Sequence, residues 1–125
     1  MIITKILDML DRNNPAAVQL EGMRLAEETG EIKPFIQPLT PRHSKNVWEN
    51  CAIIISAKSD EELKDYLGEL LEWLQDMNWP GAFRIFDRFK CFSDRNLIVH
   101  TINESIKTAK SANDEIWEQN LRLLL

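Results

Sequence analysis

The stretch Ser59-Asp60-Glu61-Glu62-Leu63-Lys64-Asp65-Tyr66-Leu67-Gly68-Glu69-Leu70-Leu71-Glu72-Trp73-Leu74-Gln75-Asp76-Met77 decides the fold class. Ser59 and Glu62 stand at the S-x-x-E spacing of a capping box, where each side chain accepts a backbone N–H left over at a helix start. Leu63, Leu67, Leu70, Leu74 and Met77 recur at 4-3-4-3 spacing, which is one apolar stripe on an α-helix. Glu62, Asp65, Glu69, Glu72 and Asp76 recur at 3-4-3-4 spacing on the opposite side. The pattern predicts one helix to Met77, buried along one face and wet along the other.

The flanking sequence is punctuated in the same way. Residues 2–12 put Ile3, Ile6, Leu7 and Leu10 on one face. Asn14 and Pro15 open a helix that runs to Thr29, where Gly30 supplies a left-handed stop. A short helix over Pro34–Thr40 is limited by Pro38 and Pro41, and a longer one spans Lys45–Lys58. Trp79-Pro80 restarts a helix to Phe92, Ser93-Asp94 caps one to Lys110, and Asn113-Asp114 opens the last. No segment alternates with a period of two, and the β-branched run Ile53-Ile54-Ile55 is too short to be a strand. The expectation is all-α, with eight helices. A step of 32 aligns Ile3, Phe35, Leu67 and Val99, and also Asn14, Asn46 and Asn78. Asn13-Asn14-Pro15-Ala16-Ala17 echoes Asn78-Trp79-Pro80-Gly81-Ala82, and Trp48-Glu49-Asn50 echoes Trp117-Glu118-Gln119. Recurring helix pairs of this length predict a short right-handed α-solenoid of four stacked pairs, forming a single domain over 1–125.

The run from Leu70 to Ala82, Leu-Leu-Glu-Trp-Leu-Gln-Asp-Met-Asn-Trp-Pro-Gly-Ala, resembles the L-x-W-L-x-D-x-N-W-P-x-A stretch of a small bacterial family of unknown function. The proteins of that family are single helical-repeat domains similar to HEAT repeats. The closing Asp114-Glu115-Ile116-Trp117 is similar to an acidic-Ile-Trp segment near the family's C-terminus, whereas the N-terminal half matches only in helical pattern. The resemblance implies a helical-repeat fold and a bacterial cytoplasmic origin, and it implies no enzymatic activity.

With 125 residues, of which 44% are apolar and 28% charged, the chain is long enough to bury a core without staples. Cys51 and Cys91 are too few for a disulfide framework and suit a reducing, intracellular setting; both fall among apolar helical neighbours and read as core thiols. Lys5, Asp8, Asp11 and Arg12 interrupt the apolar start well short of a membrane span. The formal net charge is −5, and residues 60–76 alone carry seven acids against Lys64. All of the net acidity therefore sits on one ridge. Like charges at these spacings repel by a few tenths of a kcal/mol, roughly, per pair. Asp60, Glu61 and Glu62 gain from the positive end of the helix dipole, but Glu72 and Asp76 lie at the wrong end for that. The plain reading is a solvated face. The functional reading is a docking surface for a basic protein partner, where charge speeds association and selects partners.

Tyr66 and Trp73 border the ridge and Trp79 lies in the turn after it, either as packing between hairpins or as interface anchors. The candidate partner-binding set is therefore Glu62, Asp65, Tyr66, Glu69, Glu72, Trp73, Asp76, Asn78 and Trp79. Nothing in the chain reads as catalytic: there is no glycine-rich phosphate loop, H-E-x-x-H or G-x-S-x-G, and His43, His100 and the two Cys lack metal-ligand spacing. Arg84, Arg88 and Lys90, interleaved with Phe83, Phe86 and Phe89, read as an amphipathic helix rather than a nucleic-acid contact. The sequence thus points to a non-catalytic protein-interaction module in the cytoplasm, with no cofactor or metal, as a monomer or weak dimer. One version is an immunity-type protein that covers a basic toxin domain. The alternative is an enzyme or small-ligand binder with a polar pocket at Asp76 and Asn78, two residues that equally suit holding the turn together. Leu121, Leu123, Leu124 and Leu125 leave the last hairpin with an apolar end.

Overall fold

The computed structural model describes residues 2–38 and 44–125. Every regular element among them is helical. Helix α1 is Ile2–Met9, α2 is Ala16–Thr29 and α3 is Trp48–Ser56; 3-10 turns cover Lys33–Phe35 and Lys45–Val47. The short helix expected over Pro34–Thr40 is only the first of these turns, and Thr40, with Arg42 and His43, lies outside the described residues. Helices α4 (Asp60–Leu63) and α5 (Leu67–Leu71) are followed by α6 (Ala82–Lys90), α7 (Arg95–Ser111) and α8 (Glu115–Arg122).

The predicted single helix from Ser59 to Met77 is instead wound in alternating pitch. Helix α4 passes into a 3-10 turn at Lys64–Tyr66, α5 into another at Glu72–Gln75, and the chain leaves helical geometry at Asp76. Both helix types place residues three apart on nearly the same side, so the periodicity of the leucines does not distinguish them. The start is as expected: Ser59 Oγ accepts the Glu62 N–H at 3.1 Å and Glu62 Oε1 accepts the Ser59 N–H at 3.0 Å. The stripe is also as expected, with Leu63, Leu67, Leu70 and Leu74 all buried.

Helix α1 pairs with α2, α7 with α8, α3 with α6, and α5 with α7. A continuous core runs through them from Ile6 and Leu10 to Leu121 and Leu124. Gly22 permits the close approach of α1 to α2, since a Cβ there would stand 2.9 Å from the Cβ of Met9. Asp60 pins the start of α4 to the α6–α7 junction: its carboxylate accepts from Arg88 at 2.6 Å and from both the N–H and the hydroxyl of Ser93. The hydrogen bonds from Ser93, and then Arg88, lower its pKa to about 2.

Several local expectations change. Asn14 does not cap α2; its amide turns back and donates to the carbonyls of Asp8 and Met9, closing the end of α1. Asn46 and Asn78 each give the backbone N–H to a side-chain oxygen two residues earlier, Ser44 Oγ at 3.3 Å and Asp76 Oδ1 at 2.8 Å, whereas Asn14 uses its side-chain amide. Cys51 is buried, which pushes its thiol up to about 12, but Cys91 follows the last turn of α6 and is exposed rather than core. Arg84 and Arg88 are engaged by Glu49 and Asp60, and Lys90 lies over the ring of Phe86. No helix among the described residues is long and apolar enough to cross a membrane.

Candidate functional site

The pitch changes between Asp60 and Gln75 redistribute the acidic ridge. Asp60, Glu61 and Glu62 are all engaged, by Arg88 and Ser93, by Lys64 at 2.7 Å, and by the Ser59 cap. Glu62 and Asp65 are exposed, whereas Glu69 and Glu72 are half-buried. Neither Glu69 nor Glu72 has a cation or hydrogen-bond donor against its carboxylate among the described residues, and Glu69 Oε2 is shut off from solvent. Burial, and then the neighbouring charge of Glu69, raise the pKa of Glu72 above the ordinary carboxylate value. The ridge is therefore compensated at its first turn and uncompensated at its far end.

Glu72 opens into a groove of about 410 Å³ between the 67–75 segment and α7. Gly68 and Gln75 line one wall with it, Thr101, Glu104, Ser105 and Thr108 line the other, and Trp117 of α8 closes the back. The expected set did not include the α7 wall. Its signal is a polar stripe, Thr101, Ser105 and Thr108 at 4-3 spacing, beside the buried Ile98, Ile102 and Ile106. Ser105 is 8% exposed, and no hydrogen-bond partner for its hydroxyl occurs among the described residues.

The aromatic candidates separate. Trp73 is fully buried and donates its indole N–H to the Pro80 carbonyl at 2.9 Å, so it is core and not an interface anchor. Tyr66 and Trp79 pack half-buried against the core. Trp79 meets Trp48 edge to face at 5.2 Å, and the Lys45 ammonium lies over both rings. Asp76 Oδ1 accepts the Asn78 N–H at 2.8 Å and its carbonyl accepts the Trp79 N–H at 3.0 Å, a side-chain-closed turn that leads to Pro80. Asp76, Asn78 and Trp79 thus stand apart from the groove, and of the expected set Glu72 alone lines it. No three His, Cys, Asp or Glu side chains gather into a metal-ligand cluster among the described residues.

No curated protein and no solved structure matches the chain. Residues 39–125, well over half of its length, match the Domain of unknown function (DUF5071). That span contains the Leu70–Ala82 motif, the acidic segment and the groove, and the chain belongs to the DUF5071 family.

Proposed function

We propose that this protein is a non-catalytic interaction module that binds a basic protein partner through the far end of its acidic segment. The observation that carries the reading is the pair Glu69 and Glu72, half-buried, one helical turn apart and without a cation among the described residues. Removing carboxylates from water and placing them together costs free energy in the isolated chain, and a partner's cation at that position offsets the cost. The charge acts mainly on association rate and partner choice. Exposed Glu62 and Asp65 extend the same field outward. The engagement of Asp76 within its own turn favours this reading over a polar pocket at Asp76 and Asn78.

The finer architecture belongs to the same proposal: a short HEAT-like solenoid of a bacterial cytoplasmic protein, with an immunity-type role against a basic toxin domain as its concrete form. Two hydrogen bonds support the repeat. The Asn50 amide donates to the Leu10 carbonyl at 2.8 Å, and the Asn120 amide donates to the Leu74 carbonyl at 2.8 Å. Each ties a later helix to the end of a helix that precedes an Asp-x-Asn-x-Pro turn.

The test is affinity capture from lysate of the native organism, with wild type beside the Glu69→Lys/Glu72→Lys variant, followed by direct titration of whatever is retained. A basic protein that binds wild type, weakens with salt and is lost by the variant supports the reading. Equal retention by both chains overturns it.

A further inference from the structure

We propose that the groove between the 67–75 segment and α7 is a slot for the guanidinium group of an arginine side chain carried by the basic protein partner. This rests on the interaction-module reading and assigns its point of contact. The hydroxyl of Thr101 donates to the Leu97 carbonyl at 2.9 Å and that of Thr108 to the Glu104 carbonyl at 3.3 Å. The Gln75 amide donates to the Glu72 carbonyl at 2.9 Å, and the Trp117 indole N–H donates to the Leu71 carbonyl at 3.1 Å.

Apart from the second Gln75 N–H and the Ser105 hydroxyl, these side-chain donors are directed into the groove's own walls, and oxygen lone pairs are left in excess. Glu72 contributes a carboxylate without a partner among the described residues. Independently of the acids, Ser105, a residue only 8% exposed, lines the groove, and its hydroxyl makes no bond among the described residues. Glu104 is only partly available, since Lys107 sits 3.2 Å from it. An acceptor-rich slot needs an occupant that is all donor and positively charged. Guanidinium brings five N–H donors in a plane and no acceptor, matches a carboxylate with two parallel bonds, and stacks on an indole such as Trp117. An ammonium group brings three donors from a point and no flat face, so lysine fits less well.

A hexa-arginine peptide titrated into the full chain at low salt, followed by calorimetry and by the amide resonances of Ser105 and Thr108, tests the slot. Glu72→Gln is expected to weaken binding by about tenfold and Ser105→Ala by about threefold, in line with charged and neutral hydrogen bonds. The exposed pair Glu62→Gln/Asp65→Asn is expected to weaken it by less than about twofold, because fully solvated charges contribute little. Hexa-lysine is expected to bind about fivefold more weakly than hexa-arginine. If Glu72→Gln and Ser105→Ala leave binding intact while Glu69→Lys/Glu72→Lys abolishes it, the slot is overturned and the interaction reading stands; if Glu62→Gln/Asp65→Asn abolishes it while Glu72→Gln does not, both are overturned. Peptide binding that none of these variants alters overturns both. No binding to wild type, with circular dichroism showing it folded, overturns the slot.

Discussion

The turns at residues 11–17 and 76–82 begin alike and end differently. In the first, Asp11 Oδ1 accepts the Asn13 N–H at 2.8 Å and the Asp11 carbonyl accepts the Asn14 N–H at 3.0 Å; Asp76, Asn78 and Trp79 repeat both bonds at the same lengths. A proline follows at the same offset, but α2 begins directly after Pro15 while α6 waits one residue beyond Pro80. The extra residue is Gly81, at φ +88°, and its N–H donates to Glu49 Oε1 at 2.9 Å. The first turn is held from outside by one backbone bond, the Arg12 N–H to the Asn46 carbonyl at 3.1 Å. The second also receives α3, through Glu49 on Gly81 and Arg84 and through Trp48 on Trp73 and Trp79. One local motif can therefore be tethered by a single backbone bond or serve as a packed docking point, depending on how closely another helix approaches.

Substitution at the differing residue should break the comparison most severely. A Cβ on Gly81 would stand 2.6 Å from the Ala52 Cβ and 3.0 Å from the Trp48 carbonyl oxygen, with φ in the left-handed region. Gly81→Ala should cost about 2–4 kcal/mol from strain and overpacking. Ala16→Gly, at the matching position of the first turn, should cost less than about 1 kcal/mol. Chemical denaturation of both variants checks this, and equal losses would mean that the close approach is unimportant.

The two amide clasps come next. Asn50 is buried and also bonds to Gln19 Oε1 at 3.0 Å, whereas Asn120 is half-buried with a single bond. Asn50→Ala should cost about 2–3 kcal/mol and Asn120→Ala about 1 kcal/mol, since leaving buried polar groups unpaired is the larger penalty. The tryptophans that accompany the clasps differ in the opposite sense: the Trp117 N–H is bonded to Leu71, while the buried Trp48 N–H has no partner among the described residues. Trp117→Phe should thus be more costly than Trp48→Phe by about 1 kcal/mol, read as a difference in denaturation midpoints at constant slope.

The smallest effects concern pH and compare the two ends of the acidic segment. Asp60, held at about 2, contributes stability above the ordinary aspartate value that is lost as pH falls through its folded pKa. Glu72 runs the other way: its raised pKa makes the folded state bind the proton more tightly, so that acidification through that range favours folding. Carboxyl resonances followed by NMR should show Glu72 titrating above 4.5 and moving down in Glu69→Gln. A Glu72 that titrates below 4.5 would show that its carboxylate is solvated or paired.

Single residues in the sequence specified a good deal of this. Ser59 with Glu62, Gly30, Asp94 and Asp114 marked helix ends correctly, because a cap is a contract between residues two to four apart. The leucine stripe marked the buried face for the same local reason. Reading Asn14 as a cap failed because Pro15 takes that position and frees the amide to turn backward. Reading Cys91 as core failed because the helix ends there and its neighbours no longer enclose it.

The sequence by itself determined that the chain is helical, where most of its helices stop, and that its acidity is concentrated between Asp60 and Asp76. Tertiary structure alone decided which of those acids are satisfied. Asp60 meets Arg88 and Ser93 from some thirty residues away, and Glu72 meets a wall of α7 that supplies acceptors and no cation. Periodicity fixes the side of a helix on which a charge stands, but the free energy of that charge depends on what the packed chain places opposite it.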